Sequence, residues 1–216
     1  MKKTAQIISL LFHPMLMTTY AALLMFILPT YISLYPVNYK KAVILIIFTT
    51  TFISPLLIML ILLNLQKIKS LQLNEKKERI LPLFTTLIMY ISAYIITVNF
   101  PGGIPVYITT LILSSAITIL LVTIITLKFK ISIHTAATGG ITGFFLGFLT
   151  TQHIPDTILY ISNIPIKSVH LLSLLIFIAG ITASSRLILK AHTPAQIISG
   201  LLLGLTVGLA STLIYT

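Results

Sequence analysis

The chain contains no cysteine. Disulfides, thiolate zinc sites, iron–sulfur clusters and cysteine nucleophiles are therefore excluded. Tryptophan is also absent, so tyrosine must supply any aromatic belt at a membrane interface. Charge is scarce: 8% of the 216 residues carry it, and only 3 are acidic. A soluble domain carries roughly 25%. So little charge cannot cover a folded surface in water, which excludes a soluble globular protein, a disordered chain and a coiled coil. What the chain has is hydrocarbon: 57% of its residues are hydrophobic, and the mean hydropathy is +1.09. Lipid is the solvent for most of this surface. The expected fold is all-α, a polytopic membrane helix bundle forming one domain over residues 1–216 in the cytoplasmic (inner) membrane. The net charge of +11 is read as positive-inside bias, and nucleic acid is not an expected partner.

A helix needs about 20 apolar residues to cross the hydrocarbon core. Uncharged runs predict spans at Met15–Leu34 and Ala42–Gln66. The run from Ile80 to Leu127 is too long for one helix, and Pro101-Gly102-Gly103-Ile104-Pro105 cuts it into spans near 80–98 and 107–128. Further spans are expected at His134–Thr151, Ser168–Ser185 and Pro194–Ile214. The total is about seven. The loops near 65–79 and 152–167 are too short for separate domains, so any chemistry sits at the membrane surface or between helices.

With seven spans, Lys2, Lys3, Lys67, Lys69, Lys76, Lys77, Arg79, Lys128, Lys130, Arg186 and Lys190 share one side. The other side holds Lys40, Lys41 and Lys167. The positive-inside rule places the first side in the cytoplasm. His13, His134 and His192 lie on that side, and His153 and His170 on the opposite one. Thr193-Pro194-Ala195-Gln196 reads as a helix start, with Thr193 as N-cap, proline at the first helical position and Gln196 closing a capping box. Ser132 is a candidate cap for the helix carrying His134. Helix N-termini beside basic side chains suit an anion, and phosphate above all. Gly139, Gly143 and Gly147 repeat every fourth residue, as do Gly200, Gly204 and Gly208. Such stripes let helices approach closely in lipid, so the fifth and seventh spans should touch just below His134 and His192.

Ser185-Arg186 followed at the required distance by His192 resembles the third motif of the type 2 phosphatidic acid phosphatases, the PAP2 superfamily. Ser132-Ile133-His134-Thr135-Ala136-Ala137 is similar to that family's second motif. The resemblance covers about residues 128–214 and implies a six-helix core preceded by one N-terminal helix. It implies His192 as the nucleophile that becomes a phosphohistidine and His134 as the acid for the leaving group. Arg186 and Ser132 would hold phosphate oxygens, with Arg79, Lys128 and Lys130 as the nearest counterparts of the first motif. Gln196 would orient His192. The sequence departs from the family at this point: the family has aspartate there, and Ile131 and Ile133 replace its proline and glycine. The first motif is not present as such, and Arg79 lies two spans earlier than the family order. Family sites also commonly face outward, whereas the base count here points inward.

The implied function is that of a membrane phosphatase acting on a lipid phosphate or diphosphate, such as phosphatidic acid, phosphatidylglycerophosphate or a polyprenyl diphosphate, with no metal and no cofactor. The alternatives are a catalytically weakened relative that binds a lipid headgroup, or an unrelated small transporter. Coupled transporters usually carry intramembrane acids; Glu75, Glu78 and Asp156 all fall in expected loops. The partners expected are the lipid substrate and membrane lipids, and the sequence does not define an oligomeric state.

Overall fold

A computed structural model describes residues 1–71, 73, 76–152, 157–161 and 164–214. His153, Glu75 and Asp156 lie outside them. The first two helices are α1 (Lys2–Leu11) and α2 (Pro14–Ile27), bent by 56° at His13-Pro14. Two more, α3 (Val37–Phe48) and α4 (Ser54–Asn64), run on through a π-helical turn over Thr49–Ile53. Pro55 explains that turn, because it has no N–H to continue the α-helical ladder. Then follow α5 (Lys76–Val98), α6 (Val106–Thr126), α7 (Ile133–Thr151), α8 (Ser168–Ile188) and α9 (Pro194–Ile214).

Among the described residues, five helices are long and apolar enough to cross a membrane: the α3–α4 rod, α5, α6, α8 and α9. The bent α1–α2 pair qualifies only when its halves are taken together. The expectation of about seven is thus met as a multi-pass bundle and not as a count. The first expected span, Met15–Leu34, is not one helix. α2 stops at Ile27 before Pro29, and Tyr31–Leu34 form a separate 3-10 turn. α7, rich in glycine and threonine, is outside the qualifying set. α5 begins at Lys76, so Pro82 lies inside it and Glu78 belongs to its first turn rather than to a loop. Glu78 faces Lys69 at 4.0 Å.

Thr157–Ile161 and Ile164–Lys167, expected to lie in a loop, pair as two antiparallel strands. Their apolar runs lack the alternation that marks a half-buried strand, so only the pairing reveals them.

The bundle is organised around α7 and α9. They run parallel: Gly139 and Gly143 sit against the backbone of Leu201 and Leu205, and Gly204 and Gly208 against that of Ala136 and Gly140. A Cβ at any of these four positions would overlap backbone atoms. The two glycine stripes therefore face each other, as their spacing implies. Toward the far end of α7, Phe144, Phe145 and Phe148 are fully buried and pack with Tyr107 of α6. Because α7 and α9 are parallel, both helix starts, and with them His134 and His192, come to the same end.

α1 buries Ala5 and Ser9 and leaves Ile7, Leu10 and Leu11 exposed. Its buried side packs on α8, where the Ser9 and Ser185 hydroxyls lie 3.2 Å apart.

Candidate functional site

Four helices begin at this end. Ser132 caps α7 by accepting from the Thr135 N–H at 3.5 Å, and His13 caps α2 by accepting from the Met15 N–H at Nδ1. At α9 the expected capping box is present. Thr193 Oγ1 accepts from the Gln196 N–H at 3.4 Å, and Gln196 Oε1 accepts from the Thr193 N–H at 3.3 Å. The starts of α7 and α9 are also joined directly: the Ser132 N–H donates to the Gln196 carbonyl at 3.1 Å, and the Thr135 hydroxyl to the Ile197 carbonyl at 3.0 Å.

One cavity collects half of the eight expected residues. Arg79, His134, Arg186 and His192 line it, with His13 beside them. Among the described residues, none that line it is acidic. Arg79, taken from a helix two spans before the motifs, is 4% exposed. Its Nε donates to the Leu73 carbonyl at 2.7 Å and its Nη1 to the Ile131 carbonyl at 3.4 Å. These two bonds tie the loop before α5 to the approach of α7. Ser132 is fully buried and does not line the cavity; its hydroxyl is used in the cap. Lys128 is exposed and Lys130 half-buried, and neither lines the cavity. Burial lowers the affinity of the Lys130 amine for its proton, and the Arg79 and Arg186 charges push the same way.

His192 is 8% exposed. Its Nδ1 lies 2.9 Å from Gln196 Oε1. That oxygen already accepts from the Thr193 N–H and can only accept, so His192 Nδ1 carries the hydrogen. Nε2 keeps its lone pair. Burial pushes the His192 pKa down to about 4; the Gln196 bond opposes this, and the positive charges of Arg79, Arg186 and Lys130 add to it. The ring is neutral near pH 7, as a nitrogen nucleophile must be.

Two contributors were not assigned from the sequence. Ser9 of α1 presents its carbonyl to His134 Nε2 at 3.2 Å and its hydroxyl to Arg186 Nη1, which donates at 3.1 Å. A carbonyl only accepts, so His134 carries its hydrogen on Nε2. His13, noticed in the sequence but given no role, stands edge-on to His134 with ring centroids 5.6 Å apart. The signal for Ser9 was the pair of small residues Ala5 and Ser9, one helical turn apart in an otherwise apolar segment. That pattern marks a helix that docks closely. Arg186 keeps donor capacity, since its Nε is buried without a hydrogen-bond partner among the described residues.

The arrangement can hold an anion between two guanidinium groups, beside one imidazole with a free lone pair and another with a hydrogen to give. No protein-family model, curated protein or solved structure matches the chain.

Proposed function

We propose that this protein is a membrane phosphatase for a lipid phosphate or diphosphate, of the PAP2 type that its motifs resemble. The observation that carries the reading is the His192–Gln196 pair. It fixes the nucleophilic tautomer in a cavity lined by Arg79 and Arg186. The unpartnered Arg186 Nε is a donor awaiting an acceptor, since an unpaired buried polar group is costly. In this reading His192 Nε2 attacks phosphorus and the P–O bond to the leaving group breaks. His134 enters this step as the imidazolium, protonated on both nitrogens; its Nε2 hydrogen moves from the Ser9 carbonyl to the departing oxygen and leaves a neutral ring. Water next attacks the phosphohistidine, returns a proton to His134 and releases phosphate. The guanidinium groups offset charge developing on the equatorial oxygens.

Two observations favour a second reading, headgroup binding without turnover. Gln196 is neutral and cannot stabilise an imidazolium by charge, and His134 is already engaged by Ser9. The proposal also takes α2, the α3–α4 rod, α5, α6, α7, α8 and α9 as seven passes, with the site end cytoplasmic by the base count.

The test is phosphate release from a panel of lipid phosphates by purified protein, with His192→Ala and Arg186→Ala beside it. Hydrolysis is expected to vanish in His192→Ala. Wild-type protein that binds the lipids and releases no phosphate would establish the second reading instead.

A further inference from the structure

The cavity does not end at the basic residues. It continues between α2, α5, α6 and α7, past Leu83, Val122 and Ile141, to Thr18, Tyr90 and Leu111. Arg79 and Tyr90 both line it from α5, and eleven residues of helix rise about 16 Å. The cavity therefore reaches about half-way into a hydrocarbon core about 30 Å thick. All six of those wall residues are buried, so these walls are internal to the bundle rather than a groove on its lipid face.

The hydroxyl groups along the wall do not make it polar. Thr18 Oγ1 lies 3.3 Å from the Tyr90 hydroxyl and 3.1 Å from Ser115 Oγ. Ser115 and Thr118 donate to the Leu111 and Ser114 carbonyls at 2.9 Å, and Thr86 to the Pro82 carbonyl at 2.7 Å. With these groups satisfied among themselves, the wall offers methyl and methylene surface. The cavity volume is about 150 Å³, too small for two hydrocarbon chains side by side along its length. Spread over about 16 Å of helix rise, that volume is a channel one hydrocarbon chain wide.

We infer that the substrate's hydrocarbon enters the bundle behind its phosphate. The site selects esters in which a single chain, prenyl or alkyl, is joined directly to phosphate or diphosphate. A two-chain glycerophospholipid would have to place a glycerol backbone and the start of a second chain in the same single-file space. This inference rests on the phosphate reading of the basic end and adds to it which of the lipid classes fits.

The experiment uses full-length protein in detergent and measures both binding and phosphate release. The ligands are farnesyl phosphate, isopentenyl phosphate and dioleoyl phosphatidic acid. Farnesyl phosphate should bind at least about tenfold more tightly than phosphatidic acid, and more tightly than the short isopentenyl ester. Ser115→Phe, which fills the deep part of the channel, should cut the farnesyl-to-isopentenyl affinity ratio by about tenfold. Leu111→Trp probes the same space in a second background. Equal affinity for one-chain and two-chain lipids would overturn the inference. So would an unchanged chain preference in whichever of the two variants folds. A farnesyl preference without phosphate release would remove the phosphatase reading and leave the channel standing. Phosphate release with no chain preference would do the reverse.

Discussion

At the residue scale the decisive pair is His192 and Gln196, four positions apart across a helix start. One amide oxygen serves two functions: it closes the capping box and it orients the imidazole. The cap follows from residue order alone, because Thr193-Pro194-x-Gln196 is a local pattern. The imidazole contact depends on where His192 turns after α8, which the order of residues does not specify. With its pKa pushed to about 4, His192 stays neutral throughout the physiological range. In kcat/KM the acid limb assigned to His192 is therefore expected near pH 4 rather than near 6.5. Gln196→Glu keeps the length and the acceptor while adding negative charge, which favours the protonated ring. That limb should move upward, and the rate at neutral pH should rise if imidazolium character limits turnover. A pH–rate profile of both proteins checks this, and an unmoved limb would separate Gln196 from the chemistry. Stability follows the same proton. Between about pH 6.5 and pH 4 the unfolded chain holds a proton on His192 that the folded one does not, so acidification through that window destabilises the fold.

At the element scale the contact between α7 and α9 sets the site. Helices in lipid gain little from hydrophobic burial against each other, so close backbone approach supplies the packing. Gly143 and Gly204 each face backbone of the partner helix, whereas Gly180 of α8 has nothing within 4 Å of an added Cβ. Gly143→Leu and Gly204→Leu should each cost about 1–3 kcal/mol or more by overpacking. Gly180→Ala should be neutral or stabilise by up to about 1 kcal/mol, since alanine is the better helix former. Thermal unfolding in detergent distinguishes them. Equal stability of all three variants would contradict the parallel glycine contact. The stripes were legible because a period of four survives in any sequence listing. The docking of α1 on α8 was not legible, because Lys2 and Lys3 before an apolar stretch also fit a plain lead-in to a first span. The end of α2 at Ile27 was obscured for a different reason: Pro29 interrupts an uncharged run without changing its hydropathy.

At the scale of the whole molecule, one end of the bundle collects helix starts and positive charge, and these two causes of basicity can be separated. Lys67, Lys69 and Lys190 are exposed and lie outside the cavity; under the proposed orientation the positive-inside rule accounts for them. Arg79 and Arg186 line the cavity and are the pair that the proposed function sets against an anion. The chain has no native cysteine, so single cysteines report accessibility cleanly. Cysteine at Lys69 or Lys190 should resist an impermeant thiol reagent in intact cells, and cysteine at Lys40 should be labelled. The opposite pattern would mean that the site faces outward.

The sequence by itself determined the class of solvent, the helical content, most helix boundaries to within a few residues and the capping box at α9. All of these are local or compositional quantities: apolar runs, proline and glycine punctuation, and a spacing of three or four residues. It also pointed to His134, Arg186 and His192 through order along the chain. It also offered Ser132 as the cap of α7, which the structure shows. Only the tertiary structure decided that Arg79 joins His134, Arg186 and His192 and that Ser9 holds both His134 and Arg186. Each of those depends on contacts between residues more than fifty positions apart. Composition and periodicity carry no information about such contacts. The channel beneath the site belongs to the same category, since a cavity is the space that four helices leave between them.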